Sequence, residues 1–316
     1  MFWTVFGIVT AVIAAVLLVL LLFICRKMFD LALVRGNKVV GGDGFEEQLA
    51  DFKDEWNAGK ALYDSLPKED WWIESFDGLQ LHGELLKNGD GKKLLIEVHG
   101  FRSSAAHDFI AAMPYFYNKG FSFLLIDLRA HGKSEGEYIT FGVHERCDLR
   151  DWVYFAMEKL GTDIQIVLHG ISMGASTVLM ASALDLPANV RGIIADSGFT
   201  SPYDIFVRVL EHSFHAKPFP ILPITQLMAE RKANFGFKDA STLDAMAENT
   251  IPVIFVHGED DDFVPIGMSE ANYNACKAEK RFVRVPNARH ACGYVMDKPR
   301  CEQALDEFLD RVFENA

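Results

Sequence analysis

Ser172 lies between two glycines in the stretch "HGISMGAS", which covers residues 169–176. A serine flanked in this way can stand on a sharp turn between a strand and a helix, where its hydroxyl oxygen is free to attack a carbonyl carbon. The bare pattern arises by chance in roughly one chain of this length in ten. The residues around Ser172 must therefore decide whether it is a nucleophile.

A serine nucleophile needs a base that takes its proton, and the base needs an acid that orients it. Four consecutive acids, "EDDD" at 259–262, follow the apolar run "PVIFVHG", and the residues alone leave open which of them could serve. Of the ten histidines, only His290 comes after these acids, in the small-residue loop "NARHACG". The order serine, acid, histidine predicts His290 as the base.

The elements that must position these residues are short apolar runs separated by amphipathic segments. A hairpin is predicted at 71–86, with its turn at Asp77-Gly78. The runs that follow cover 94–100, 121–127, 164–170, 190–196, 252–258 and 281–286. Runs that are apolar on both faces predict a parallel sheet covered by helices, with the site at the carboxyl ends of the strands.

Ser172 follows the run at 164–170 directly and opens the apolar helical stretch "SMGASTVLMASAL". This context is the one a nucleophile on a sharp turn requires, because a β-carbon at either flanking glycine would collide with the strand or the helix. Three histidines that end strands, His99, His169 and His257, are expected to be structural. Cys292, two residues after His290, is expected to be a packed thiol.

Six stretches carry a resemblance to a known family: "EVHGFRSS", "DLRAHGKSEG", "HGISMGAS", "DSGFTSP", "VHGEDDDFVP" and "NARHA". Their order and spacing make the chain from about 70 to 316 resemble the α/β-hydrolase superfamily, in particular its esterase and serine-aminopeptidase-like branch. The resemblance does not cover residues 1–43, and it covers 44–70 weakly.

The resemblance implies an α/β-hydrolase fold at 71–316: a mostly parallel central sheet, helices on both faces and a small helical cap inserted at about 200–250. It assigns the acid to Asp261, with Asp260 or Asp262 as the fallback. It also assigns the oxyanion hole to the backbone N–H groups of Phe101 and Met173. The turn that contains Asp127, Arg129 and His131 is expected to brace loops near the site.

Residues 1–25 carry no charged side chain and are long enough to cross a bilayer as one helix. Basic residues follow this span (Arg26, Lys27, Arg35 and Lys38), which predicts a single-pass cell-membrane protein whose catalytic domain is cytoplasmic. Five cysteines without disulfide or zinc spacing agree with a reducing compartment.

Residues 26–70 are predicted to be a juxtamembrane linker followed by an acidic helix at 44–66. The stripe of that helix, Phe45, Leu49, Phe52 and Trp56, is expected to dock on the catalytic domain. We also expect that removal of 1–40 releases an active, soluble domain.

The net charge of −13, without any basic run, argues against nucleic-acid binding. No cofactor and no metal site is implied. The predicted function is a membrane-anchored serine hydrolase acting on a small-molecule carboxylic ester or acyl substrate. A peptidase or amidase of the same fold, or a non-catalytic binding protein, remains an alternative. The apolar segment at 200–250 fits an acyl or aryl pocket as well as simple packing, and the oligomeric state is left open.

Overall fold

The computed structural model describes residues 2–36 and 52–314. An eight-stranded sheet lies at its centre. The strands are β1 (Glu69–Glu74), β2 (Gln80–Leu86), β3 (Lys93–Val98), β4 (Phe121–Ile126), β5 (Gln165–Ile171), β6 (Val190–Asp196), β7 (Val253–Gly258) and β8 (Lys280–Val285). Their spatial order is β1-β2-β4-β3-β5-β6-β7-β8. Strands β1 and β2 pair antiparallel with their neighbours, and β3 to β8 are parallel.

The helices surround the sheet. They are α1 (Phe2–Leu33), α2 (Lys53–Ser65), α3 (Ala105–Asp108), α4 (Met113–Asn118), α5 (Glu145–Leu160), α6 (Met173–Ala181), α7 (Pro202–His212), α8 (Pro218–Lys232), α9 (Thr242–Glu248), α10 (Ile266–Ala275), α11 (Gly293–Met296) and α12 (Lys298–Glu314).

The central strands are apolar on both faces because both faces are covered. Every residue of β4 and β7 is buried. In β3, Leu94 and Ile96 belong to one hydrophobic cluster and Leu95 to a second cluster on the other face. Side chains alternate across a strand, so one apolar run supplies both layers. The predicted architecture, a mostly parallel sheet with helices around it, is confirmed.

The N-terminal helix differs from its predicted bounds. The sequence predicts a span at 1–25 followed by a linker, whereas α1 continues without a break to Leu33. Cys25, Phe29 and Leu33 recur every four residues on one face of α1 and are fully buried. Val34 then forms an isolated β-bridge with Tyr138. The end of α1 is therefore part of the catalytic domain, and removal of residues 1–40 would take Phe29 and Leu33 out of its core.

The described part of the acidic helix is α2, which covers Lys53–Ser65. Residues 44–51, including Phe45 and Leu49, lie outside the described residues, so the start predicted at residue 44 stays a prediction. A β-carbon on Gly59 would lie 1.7 Å from the carbonyl oxygen of Ile110, so α2 contacts the domain backbone directly. The Trp56 ring lies 4.8 Å from the ring of His107. This helix docks on the domain, as expected from its apolar stripe.

The cap consists of α7 and α8, which follow β6. It is shorter than the predicted 200–250, because α9 at its end packs on α6 and α10 beside the sheet. Helix α8 packs along the last turns of α1. The cap is thus held between the sheet and the N-terminal helix.

Candidate active site

Ser172 sits on a strained turn between β5 and α6. Its φ is +56° and its ψ −116°, a conformation that side-chain-bearing residues rarely adopt. A β-carbon at Gly170 would lie 2.3 Å from the carbonyl oxygen of Gly174, and one at Gly174 would lie 1.8 Å from that of Val98. The two glycines are needed for the steric reason that the sequence suggests, since each allows backbone to pass where a side chain would collide.

The three predicted catalytic side chains form one chain of hydrogen bonds. The Ser172 hydroxyl lies 2.8 Å from Nε2 of His290, and Nδ1 of His290 lies 2.7 Å from Oδ2 of Asp261. Asp261 is buried, whereas the fallback residues Asp260 and Asp262 are exposed. Of the four consecutive acids, Asp261 is thus the one that the structure brings to the base.

The Asp261 carboxylate is held from both sides. Its Oδ1 accepts the backbone N–H groups of Phe263 at 3.1 Å and Val264 at 2.9 Å. Nε2 of His257 lies 3.1 Å from Oδ2. Burial acts to raise the pKa of Asp261, but the adjacent His290 and His257 rings outweigh it, so the pKa lies well below its usual 3.8. Asp261 is therefore a carboxylate in the folded protein.

His257, expected from the sequence to be structural, contacts the acid directly. Its Nε2 also lies 2.8 Å from the carbonyl oxygen of Val264, and its Nδ1 lies 2.7 Å from the hydroxyl of Ser269. The ring is fully buried at the end of β7. His257 therefore positions Asp261, a role that no signal in the sequence indicates.

The surroundings of His290 favour the protonated form of its ring. Burial acts to lower the pKa of this imidazole, but attraction to Asp261 outweighs burial, so the pKa lies above its usual 6.5. With Nδ1–H donated to the carboxylate, Nε2 is left as the acceptor that faces the serine. The imidazolium that forms when His290 takes a proton is stabilised by the adjacent negative charge.

The two predicted oxyanion donors lie beside the serine. Gly100, just before Phe101, is so near that an added β-carbon would lie 3.4 Å from the β-carbon of Ser172. Met173 is the first residue of α6. Neither the N–H of Phe101 nor that of Met173 donates to another of the described residues. Both are thus available to a ligand at the serine.

Two side chains, those of His99 and Asp108, fix the loop that carries Phe101. His99 Nδ1 donates to the carbonyl oxygen of Gly100 at 2.7 Å, and Asp108 accepts the N–H of Gly100 at 2.7 Å. Carbonyl and N–H groups of one trans peptide point in opposite directions. By holding the Gly100 carbonyl, His99 therefore sets the direction of the Phe101 N–H. This role of His99 and the involvement of Asp108 have no signal in the sequence.

His131 braces the next residue of the same loop, as the family resemblance suggests. Its Nδ1 donates to the carbonyl oxygen of Arg129, and its Nε2 accepts the N–H of Arg102 at 2.9 Å. Burial, with some help from His99, lowers its pKa to about 3, so the ring stays neutral and can accept this bond.

The other members of that turn brace the strands behind it. Arg129 pairs with Asp148 at 2.7 Å and with Asp77 at 2.9 Å, and Asp127 lies 2.8 Å from Nδ1 of His82. These contacts fasten the turn to α5 and to the β1–β2 hairpin. The turn thus supports the oxyanion loop from outside the site.

Cys292 is fully buried two residues after His290. Burial and the nearby carboxylates of Asp196 and Asp261 raise its pKa to about 12. A thiol with such a pKa is a weak nucleophile near neutral pH. Cys292 is a packed side chain here.

A group of possible metal ligands lies on the sheet edge, away from the serine. Ligand atoms of Asp70, His82 and Glu84 lie within 4.8 Å of one another. The ammonium of Lys133 lies 2.8 Å from Asp70 and 3.7 Å from Glu84. The ammonium of Lys133 thus already pairs with both carboxylates of this group.

An apolar cavity of about 100 Å³ leads away from Ser172. Among the described residues that line this cavity, only Ser172 and Thr225 have polar side chains. The wall comes from the end of α1, the oxyanion loop, the cap helices, the loop after β7 and the loops that carry Phe141, Phe199 and Phe237. Its aromatic residues are Phe101, Phe141, Phe199, Phe206, Phe214, Phe237 and Phe263.

Comparisons with known proteins agree with the fold. Residues 93–215 match the family model described as the alpha/beta hydrolase fold. The chain is similar to an esterase from Pyrococcus furiosus, with a TM-score of 0.64 and 21% identity, covering 88% of this chain and 98% of that one. Est1E from Butyrivibrio proteoclasticus, solved with ferulic acid bound, gives a TM-score of 0.58 and 20% identity over 77% and 99% of the two chains.

Among curated sequences, the uncharacterized protein YqkD of Bacillus subtilis is 26% identical over 308 residues, which is 97% of this chain and 95% of that protein. The family model and the solved structures show that the chain has the α/β-hydrolase fold.

Proposed function

We propose that this protein is a membrane-anchored serine hydrolase that cleaves carboxylic esters through an acyl-enzyme. The observation that carries the proposal is the hydrogen-bonded chain from Ser172 through His290 to Asp261. It lies beside the two backbone N–H groups of Phe101 and Met173.

The geometry supports a two-step reaction. Ser172 Oγ attacks the ester carbonyl carbon as Nε2 of His290 takes its proton, and the N–H groups of Phe101 and Met173 stabilise the oxyanion. The tetrahedral intermediate collapses, and the alcohol leaves with the proton from His290. Water then attacks the acyl-enzyme with His290 again as base, which releases the carboxylic acid and restores Ser172. Asp261 holds the imidazole and stabilises its positive charge in both steps.

The cavity favours an ester over a peptide. A peptide substrate carries amide N–H and C=O groups, and each one buried without a partner costs about 1–3 kcal/mol. The lining provides almost no polar side chains to pair with them. The acyl chain of an ester needs no such partners.

Retained catalytic geometry also favours an enzyme over a binding protein. The φ of +56° at Ser172 costs energy of order 1–3 kcal/mol, and such strain persists where it has a use. A binding pocket alone would need neither this turn nor the aligned base.

The described part of the chain has one helix, α1, that is long and apolar enough to cross a membrane. Phe29 and Leu33 at its end lie in the domain core, which supports an anchor that is retained rather than cleaved. The basic residues that follow residue 25 favour a cytoplasmic domain. The five free cysteines fit the same compartment.

The test uses the full-length protein in detergent. Ser172→Ala should abolish hydrolysis of p-nitrophenyl butyrate and labelling by a fluorophosphonate probe. Ser182→Ala is the matched control, because Ser182 ends the same helix and bonds only to the backbone of Leu179. Undiminished labelling of the Ser172 variant would show that the nucleophile lies elsewhere.

A further inference from the structure

The apolar cavity at Ser172 is walled in part by the N-terminal helix. Met28, Leu31 and Ala32 of α1 line the same cavity as the nucleophile. Leu31 and Ala32 follow Met28 by three and four residues, so all three lie on one face of α1. The helix that is long enough to span a bilayer is thus also a wall of the site.

The charges of α1 place this wall near the level of the lipid headgroups. Arg26 and Lys27 are the first charged residues of the helix and are exposed. Basic side chains at the end of an apolar span lie at the membrane surface. At a rise of 1.5 Å per residue, Met28 to Ala32 lie only about 2–8 Å beyond Lys27 along the axis. The cavity therefore begins where the bilayer ends.

Helix α8 of the cap runs beside α1 in the same direction. The thiol of Cys25 lies 3.8 Å from the carbonyl oxygen of Ile221, and the ammonium of Lys232 lies over the ring of Phe29 at 5.5 Å. Residues that precede Ile221 are therefore on the membrane side of Cys25.

Two large aromatic side chains are exposed at that end of the cap. Phe219 is 79% exposed and Phe214 is 42% exposed, and Phe214 also lines the cavity. Exposed aromatic rings beside an apolar helix are typical of surfaces that enter the membrane interface. We call the space between α1 and the start of α8 the mouth of the cavity; apart from Thr225, the lining residues that these two helices contribute are apolar.

We propose that the substrate is the long-chain acyl ester of a lipid held in the bilayer, and that its acyl chain enters between α1 and α8. This inference rests on the proposed serine esterase and names its substrate class. A chain that moves from the bilayer into this cavity keeps apolar surroundings throughout, so its methylene groups need not cross water. The ester bond then lies at Ser172, just beyond the headgroups.

The experiment uses the full-length protein reconstituted in phosphatidylcholine vesicles. Two fluorogenic esters with the same leaving group are compared: 4-methylumbelliferyl palmitate dissolved in the bilayer and 4-methylumbelliferyl butyrate from solution. The measured quantity is the ratio of the two kcat/KM values. We expect the ratio to favour palmitate at least tenfold.

Substitutions at two positions along α1 test the wall. Met28→Trp fills the cavity and should lower the palmitate-to-butyrate ratio at least tenfold. Leu20→Trp adds the same ring to a side chain that is 52% exposed on the membrane part of α1, and it should leave the ratio unchanged.

A second pair tests the mouth without entering the cavity. Phe219→Ser should lower the ratio, whereas Trp72→Ser, at a 45% exposed ring on the hairpin, should not. If Met28→Trp does not fold, this second pair still tests whether the acyl chain enters between α1 and α8.

The outcomes separate the two proposals. Hydrolysis of butyrate with no preference for palmitate would overturn the lipid substrate and leave the serine esterase standing. A ratio that is insensitive to both Met28→Trp and Phe219→Ser would do the same. Failure to hydrolyse either ester would overturn the esterase and, with it, the substrate class.

Discussion

Replacement of Asp261 by asparagine tests the site most directly, because the structure dictates how the amide must lie. The two backbone N–H groups of Phe263 and Val264 donate to one carboxylate oxygen, and Nδ1 of His290 lies at the other. The amide keeps both backbone bonds only if its NH₂ group faces His290. That orientation makes Nδ1 the acceptor and places a hydrogen on Nε2, which then cannot take the serine proton.

The opposite orientation would restore the correct tautomer but at a cost. Turning the amide over would leave the N–H groups of Phe263 and Val264 facing another donor. Each lost bond to a buried group costs about 1–3 kcal/mol, so the flipped form is disfavoured by about 2–6 kcal/mol. At about 1.4 kcal/mol per factor of ten, between about a thirtieth and about a twenty-thousandth of the molecules retain a working base. The negative charge that stabilises the imidazolium is lost in all of them.

We therefore expect Asp261→Asn to lower kcat by about 10³- to 10⁴-fold, comparable to the effect in other serine triads. The assay is p-nitrophenyl butyrate hydrolysis by the full-length protein, with circular dichroism to establish that the variant is folded. Asp260→Asn and Asp262→Asn are matched controls on exposed neighbours and should change kcat less than twofold. A loss of less than tenfold at 261, or a greater loss at 260 or 262, would refute this account of the acid.

Three further predictions follow from the same geometry. The kcat/KM of the wild-type protein should fall as the pH falls through the pKa of His290, because only the neutral ring accepts the serine proton. Since Asp261 raises that pKa above 6.5, the midpoint of the fall should lie above pH 6.5, and it should move to lower pH in Asp261→Asn. His131→Ala should lower kcat about tenfold with little change in KM, because the oxyanion loop loses its brace at Arg102, and His131→Asn, whose amide oxygen can accept the same N–H, should recover part of the loss. Removal of residues 1–36 should lower the free energy of unfolding in urea by about 3–6 kcal/mol, because the domain loses the buried side chains of Phe29 and Leu33. Removal of 1–20 should leave it unchanged, and equal stabilities of the two truncated proteins would show that the end of α1 is not part of the core.

The sheet and the elbow could be predicted because their signals are local. Six apolar runs with polar residues at their carboxyl ends specify a parallel sheet, and Gly170 and Gly174 around Ser172 report a turn that only glycine fits. The choice of Asp261 required the family resemblance, because four adjacent acids look alike in the sequence. The positions of His99, His257 and Asp108 depend on loops that meet only in the folded chain, and no periodicity or motif encodes them.

The sequence predicts that the N-terminal helix ends before Leu33 because its charged residues resemble the end of an apolar span. Arg26, Lys27 and Asp30 look like the end of an apolar span, and their charges hide the repeat of Cys25, Phe29 and Leu33 at every fourth position. The charged residues occupy the solvent face of the same turns, where Arg26 and Asp30 form an ion pair. A helix that runs from an apolar span into a domain core carries both the charges that mark the end of the span and the four-residue repeat of buried side chains.

The unbroken passage of α1 from its apolar span into the core leaves no hinge between that span and the domain. Its 32 residues make a rod about 48 Å long, and the last turns of that rod are held by α8 and by the burial of Phe29 and Leu33 in the core. With α1 in a bilayer, the domain could neither swing nor rotate independently of the anchor, and Ser172 would stay at a constant height above the lipid. The rate would then depend on the mole fraction of substrate in the surrounding lipid, so that dilution with inert lipid would slow turnover even at constant total substrate.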